Sequence, residues 1–195
     1  MVGDVTGHGI EAALLMTTDR ALLRSRVQQP GSLAQVIKDV NRHLTADLYE
    51  SGRFMTLFYM TIDPASGRLT WVRAGHDPAI LYDPATERFE ELRGDGMALG
   101  VDKNWQYVEN RKEDLAPGQI IFLGTDGIWE TQNSRGRRFG KKSVNTVLSQ
   151  NASFSAEEII TRMVNELDNY RGNQEPEDDI TLMVIKIAPE VPLAH

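Results

Sequence analysis

Val2-Gly3-Asp4-Val5-Thr6-Gly7-His8-Gly9-Ile10 runs straight into an apolar helical pattern. The stretch reads as the end of a strand, a glycine turn carrying one carboxylate, and the start of a helix, an arrangement that presents charge at the edge of a sheet. Two later stretches repeat it. Gly124-Thr125-Asp126-Gly127 places an aspartate after the apolar run Ile120-Ile121-Phe122-Leu123, and Glu177-Asp178-Asp179-Ile180-Thr181 places two more ahead of a final apolar run. Two readings of these acids stand side by side. They are separate turn and cap formers, a common use of Asp beside Gly, or they form one cluster, because neighbouring strand ends in a sheet lie only about 5 Å apart. Clustered carboxylates raise one another's pKa and persist where a cation neutralises them. Ligation by oxygen alone suits Mg²⁺ or Mn²⁺. Two such ions about 3.5 to 4 Å apart acidify a shared water and clamp the oxygens of an in-line displacement at a phosphate ester.

Composition removes whole classes of answer. A chain of 195 residues with 41% hydrophobic and 25% charged content fits one globular domain with a sizeable core. A net charge of −7 argues against a nucleic-acid partner or an anionic membrane surface, both of which need a basic patch. No cysteine is present, which excludes disulfides, thiolate nucleophiles and cysteine-ligated zinc. The four histidines (His8, His43, His76, His195) form no short-spaced ligand pair, so any metal here is held by oxygen. No run of about 18 apolar residues and no basic-then-apolar leader occurs, and a cytoplasmic protein is the expectation.

Taken in order, Met1 to Asp4 reads as the last turn of a longer strand. Ile10, Leu14, Leu15 and Leu22 then keep helical spacing to about Val27, where Pro30-Gly31 stops the helix. Ser32 and Gln35 form a capping-box pair for a second helix whose apolar face is Leu33, Val36, Ile37, Val40 and Leu44. Phe54 to Ile62 and Arg68 to Ala74 flank the turn cluster 63–67 as an antiparallel hairpin. Short strands are predicted at Ala79 to Tyr82, Arg88 to Leu92 and Trp105 to Asn110, and Ile120 to Leu123 reads as a central strand covered on both faces. Asn133 to Lys142, rich in Arg, Lys and Gly, reads as a solvated loop, with contact to an anionic substrate as the alternative. Ser155 and Glu158 cap another helix, with Ile159, Ile160, Met163, Val164 and Leu167 on one face. A last strand runs from Ile180 to Ile187, and residues 189–195 form a C-terminal tail.

These stretches carry a resemblance. Gly3-Asp4-Val5-Thr6-Gly7-His8-Gly9 followed by Ala12-Ala13-Leu14-Leu15-Met16 resembles the GDVSGHG-x3-ALLM signature of bacterial SpoIIE-type serine/threonine phosphatases, the sigma-factor-regulating branch of the PPM, or protein phosphatase 2C-like, enzymes. Ala74-Gly75-His76-Asp77-Pro78-Ala79 resembles the family's AGHxPP, and Gly96-Met97-Ala98-Leu99-Gly100 its GxPLG. Leu115-Ala116-Pro117-Gly118-Gln119 resembles LxPGD, Gly124 to Glu130 resembles YTDGIxE, and Asp178-Asp179-Ile180-Thr181 the terminal DDxT. The blocks fall in the family's order and span residues 1–188, the expected domain.

The resemblance implies an α+β fold, the α-β-β-α sandwich of antiparallel-rich sheets flanked by helices. It implies two Mn²⁺ or Mg²⁺ ions held by Asp4, the Val5 carbonyl, Asp126 and Asp178, with Asp179 either a further ligand or a capping residue before the last strand. The implied catalytic residues are Asp4, Asp126 and Asp178. The implied activity is hydrolysis of phosphoserine or phosphothreonine on a signalling protein, an anti-sigma-factor antagonist of the STAS-domain type, by a water activated between the ions. His8 is read as positional, with a proton donor as the alternative, His76 as holding a turn, Gly127 as permitting a bend, and Trp129 as buried against the sheet, with exposed stacking on a partner as the alternative. The family also has an upstream VGGDYYD-type block that supplies another metal-ligating Asp, and no such block stands before Asp4 here. The expectation is therefore a domain lacking its first strands, preceded in the full protein by a sensor or response-regulator domain, with a homodimer covering an open sheet edge. The alternative function is a catalytically inactive phosphatase-like binding module.

Overall fold

The computed structural model describes residues 1–48 and 52–188; the tail expected at 189–195, with His195, lies outside the described residues. The chain divides into two units, Met1–Pro78 with Arg93–Asp114, and Ala79–Leu92 with Leu115–His195. Each carries one antiparallel sheet and its own helices, an α+β organisation. No helix among the described residues is long and apolar enough to cross a membrane.

In the first unit, β1 (Val2–Val5), β2 (Met55–Asp63), β3 (Arg68–Ala74) and β6 (Asn110–Lys112) form a sheet in the order β1-β2-β3-β6, accompanied by helices α1 (Ile10–Arg26) and α2 (Leu33–Leu48). The hairpin expected at 54–74 forms as predicted, with Ile62 opposite Leu69 and Phe58 opposite Arg73. Helix α2 buries Val36, Ile37, Val40 and Leu44 of the face read from the sequence, with Leu33 only partly buried and Leu48 extending the face. Its capping box is half made: the Gln35 amide donates to Ser32 Oγ at 3.2 Å, but the Gln35 side chain donates instead to Asp39.

The strand expected over 105–110 forms only at 110–112, because the preceding residues are held to α2 by side chains. Lys38 Nζ donates to Gln106 Oε1 at 2.8 Å, and the Glu109 carboxylate accepts from the Leu33 and Ala34 amides at 2.5 and 3.4 Å, where α2 leaves its first N–H groups unpaired. Burial alone would raise the Glu109 pKa; hydrogen bonds from Arg111 and the two amides outweigh it and hold the carboxyl below its ordinary range. Glu109→Ala is expected to cost about 1 to 2 kcal/mol of stability in urea denaturation at pH 7. Glu109→Gln should lose less.

Two of the sequence blocks lace this unit together. The Gly75 amide donates to the Gly96 carbonyl at 3.0 Å, Met55 and Leu99 exchange backbone hydrogen bonds at 3.0 and 2.8 Å, and the Gly100 amide reaches Asn41 Oδ1 at 2.9 Å. A Cβ on Gly96 would fall 1.6 Å from the Arg73 carbonyl oxygen, so only glycine fits there.

Helix α1 departs from its expected face. The buried stripe is Ala12, Leu15, Asp19 and Leu23, while Ile10 and Leu14 are 79% and 64% exposed and Leu22 is half-buried. Ile10 lies about 200° round the helix from Ala12, so the apolar residues nearest the glycine turn point away from the packed side. Asp19 is fully buried in their place, and among the described residues neither of its carboxylate oxygens has a hydrogen-bond partner.

In the second unit, β4 (Ala79–Asp83), β5 (Arg88–Leu92), β7 (Ile120–Gly124) and β8 (Leu182–Lys186) form a sheet in the order β5-β4-β7-β8, with helices α3 (Asp126–Glu130), α4 (Gly140–Gln150) and α5 (Ala156–Arg171). All five residues of β7 are buried, and the strand pairs with β4 on one side and β8 on the other, as its unbroken apolar run predicts. The capping box of α5 is complete, with Ser155 Oγ accepting from the Glu158 amide and Glu158 accepting from the Ser155 amide. Helix α4 begins inside the stretch expected to be loop. Its Val144, Val147 and Leu148 are buried at helical spacing, a signal hidden by the polar residues that open the helix.

Candidate functional site

Asp4 sits on β1 of the first unit, opposite Thr56 of β2, and Val5 closes the strand. The turn that follows is pinned to the sheet. The Thr6 amide donates to the Phe54 carbonyl at 3.0 Å, the Phe54 amide returns a hydrogen bond to Thr6 Oγ1 at 3.0 Å, and Arg53 pairs with Glu11 in the first turn of α1. Gly7 and Gly9 adopt positive φ of 88° and 84°, which lets the chain reverse into the helix without Cβ strain. His8 is exposed on this turn. His76 is buried, its Nδ1 2.8 Å from Thr56 Oγ1, and its carbonyl accepts from Arg73 Nε. It anchors the turn after β3.

The other acids are in the second unit. Asp126 is the first residue of α3, directly beyond β7, and Asp178 and Asp179 precede β8, the strand paired with β7. Thr125, buried between them, fixes the juxtaposition. Its hydroxyl donates to the Asp179 carbonyl at 3.0 Å and accepts from the Thr181 amide at 3.0 Å, while its own amide donates to the Thr181 carbonyl at 3.0 Å. In the sequence Thr125 stands only as a neighbour of Asp126; nothing in its local pattern marks it as a bridge to a segment 54 residues away. Gly127 acts differently from expectation. Its backbone is not left-handed; instead, a Cβ there would stand 2.5 Å from the Asp179 carbonyl oxygen, so glycine permits close approach rather than a bend. The Asp179 amide donates to Asp178 Oδ1 at 2.7 Å, turning the Asp178 carboxylate back along its own chain.

Asp126, Asp178 and Asp179 are exposed, and among the described residues none of them is in an ion pair. Their oxygens keep acceptor capacity for a hard cation, and the donor set is the all-oxygen one that Mg²⁺ and Mn²⁺ prefer. Among the described residues, no three His, Asp or Glu side chains stand together in metal-ligating geometry. A cavity of about 230 Å³ adjoins Asp178, lined also by Glu130, Gln132, Arg171 and Glu177. Trp129 is half-buried against the core of this unit, with the Lys141 ammonium 4.8 Å from its ring centroid, so both packing and cation–π contact hold it.

Comparison with known proteins sets this geometry in context. RsbU of Bacillus subtilis (strain 168), named as a phosphoserine phosphatase, is 26% identical over 185 residues, covering 95% of this chain and 54% of RsbU; the chain thus spans about half the length of that relative. Among solved structures, the SiaA-PP2C domain of Pseudomonas aeruginosa superposes with a TM-score of 0.83 at 24% identity, covering 95% of this chain and 74% of that one. RsbX, solved in complex with magnesium, gives a TM-score of 0.66 at 16% identity, covering 93% of this chain and 77% of that one. The fold is therefore the PP2C-like α+β fold, as the sequence blocks imply. The family model described as stage II sporulation protein E (SpoIIE) matches residues 1–188. From the glycine turn at Asp4 to the paired aspartates before β8, the chain belongs to the SpoIIE family.

Proposed function

We propose that this chain is a metal-dependent protein phosphatase domain that hydrolyses phosphoserine or phosphothreonine on a cytoplasmic signalling protein, an anti-sigma-factor antagonist of the STAS-domain type. The observation that carries the reading is the Thr125-locked juxtaposition of Asp126 with Asp178 and Asp179, carboxylates that among the described residues have no cationic partner. Family membership and the name of RsbU support it.

Asp4, the Val5 carbonyl, Asp126 and Asp178 are the residues that would hold two Mn²⁺ or Mg²⁺ ions, with Asp179 as a further ligand or as the backbone anchor of Asp178. When bound, such ions polarise a phosphoryl oxygen and lower the pKa of a water enough for it to attack at neutral pH. The magnesium in RsbX belongs to that protein; for this chain the reading rests on the donor set. The chain's own part is positional. Thr125 and Gly127 hold the 178–179 backbone against the start of α3, which leaves side-chain rotation as the ordering needed for the carboxylates to meet a cation. The absence of cysteine excludes a thiolate nucleophile, and the family resemblance implies direct attack of water on phosphorus, which releases the seryl or threonyl alcohol and inorganic phosphate. An upstream sensor or response-regulator domain and a second copy of the chain are the other partners this reading expects.

One observation favours a second reading, a binding module without turnover: the absence, among the described residues, of three acids in ligating geometry. Hydrolysis of a phosphoserine peptide and of p-nitrophenyl phosphate, assayed with Mn²⁺ and with chelator, separates the two. Turnover abolished by chelator is expected; a folded protein that binds the peptide and hydrolyses neither substrate supports the module.

Gly127→Ala tests the positioning. Its methyl must displace the Asp179 carbonyl, and kcat/KM is expected to fall about tenfold or more while the far-UV circular dichroism is kept. Unchanged kinetics would remove Gly127 from this role.

A further inference from the structure

Residues 135–142, Arg-Gly-Arg-Arg-Phe-Gly-Lys-Lys, hold five cations and no acid in a chain of net charge −7. A basic run is most often a solvated, mobile face. Here the backbone that carries its first half is fixed. Asn133 Oδ1 accepts from the Arg135 and Arg137 amides at 3.0 and 3.1 Å, the Gly136 amide donates to the Asn133 carbonyl at 2.8 Å, and the Asn133 amide donates to the Arg137 carbonyl at 3.0 Å. Tyr170 Oη of α5 donates to the Arg137 and Arg138 carbonyls, both at 3.0 Å, and its ring meets Phe139 edge-on. Arg138 is engaged with Glu130 at 2.7 Å. Arg135 and Arg137 are exposed and, among the described residues, have no acidic partner.

The turn is also tied to the candidate site. Gln132 Nε2 donates to Glu177 Oε2 at 2.9 Å, immediately before Asp178, and Gln132 and Glu177 line the same cavity as Asp178. The turn that carries Arg135 and Arg137 is therefore tied, through Gln132, to the segment that leads into Asp178, a carboxylate-rich site that by itself repels anions. A held backbone lowers the ordering cost of contact, and the planar fork of Arg matches a carboxylate or phosphate in bidentate fashion.

We propose that the turn at residues 133–138 is a docking site for an acidic segment flanking the phosphorylated residue of a protein substrate, with Arg135 and Arg137 as its anion contacts. This rests on the phosphatase reading for its choice of substrate. Docking offsets the net negative charge of the chain and steers the phosphorylated segment toward Asp178.

The test uses the full chain, wild type and Arg135→Glu/Arg137→Glu, with phosphoserine peptides flanked by acidic or by basic residues and with p-nitrophenyl phosphate. Wild type is expected to favour the acidic peptide, and the ratio of its kcat/KM to that for p-nitrophenyl phosphate should fall about tenfold in the double variant, chiefly through KM. The preference should also shrink as ionic strength rises, and Lys103→Glu, a surface control, should leave it in place. Fluorescence anisotropy of the labelled acidic peptide gives a readout independent of turnover. Arginine-dependent binding without hydrolysis of any substrate would keep the docking site and overturn the phosphatase reading. Hydrolysis with no acidic preference, or a preference unmoved by the double variant, would overturn the docking site. So would arginine-dependent binding of duplex DNA with no discrimination between the peptides.

Discussion

Asp126→Asn is expected to lower Mn²⁺-dependent turnover of p-nitrophenyl phosphate by about a hundredfold or more, with little change in thermal stability. The two halves of this result follow from one placement. Asp126 is exposed at the first position of α3, beyond the fully buried β7, and among the described residues it has no ion-pair partner to lose. Asn preserves its size and its suitability at a helix start. What it removes is a carboxylate charge at the start of α3, beside the backbone that Thr125 holds, and with it an anionic oxygen for a hard cation. A similar loss of activity accompanied by a large drop in melting temperature would instead make Asp126 a structural cap.

Asp19→Asn is expected to act in the opposite sense, stabilising the protein at pH 8 by about 2 to 4 kcal/mol in urea denaturation. Asp19 is fully buried on the packed side of α1, and its carboxylate oxygens accept no hydrogen bond among the described residues. Burial first, and the charge of Asp47 second, push its pKa up to about 7 from 3.8. The folded protein therefore keeps a proton that the unfolded chain releases. Stability is unaffected by this group below about pH 4, falls as pH rises from there to about 7, and stays lowered above that. The Asn variant removes the ionisation and should show little of that decline, so the gap between the two proteins opens between pH 4 and pH 8. A constant difference across that range would mean that Asp19 reaches water or a partner in the folded state.

Much of the architecture is legible in the residues because local signals and burial agree. The unbroken apolar run Ile120-Ile121-Phe122-Leu123 is a central strand, the 54–74 hairpin follows its turn cluster, and the Ser155/Glu158 box caps α5. The misreadings have tertiary causes. Trp105 to Glu109 has strand-like composition, but its side chains serve α2, with Glu109 covering the amides of Leu33 and Ala34. In α1, apolar spacing alone could not tell which face would be packed, and no helical pattern predicts a buried Asp19.

The candidate site is legible as a set of acids at strand ends, among which the resemblance singles out Asp4, Asp126 and Asp178. Its internal order was not. The Thr125 bridge and the close approach at Gly127 join residues more than 50 positions apart, contacts that exist only once β7 and β8 are paired. The rigid arginine turn was hidden for the same reason: Tyr170, which holds it, lies on α5.

Calorimetric titration of Mn²⁺ into the full chain, with Asp126→Asn and Asp178→Asn alongside, bears most directly on whether these carboxylates form a metal centre. Saturable uptake by the wild type that weakens about tenfold or more in each variant is the expected result. Uptake that is equal in all three folded proteins, or absent from the folded wild type, would contradict it.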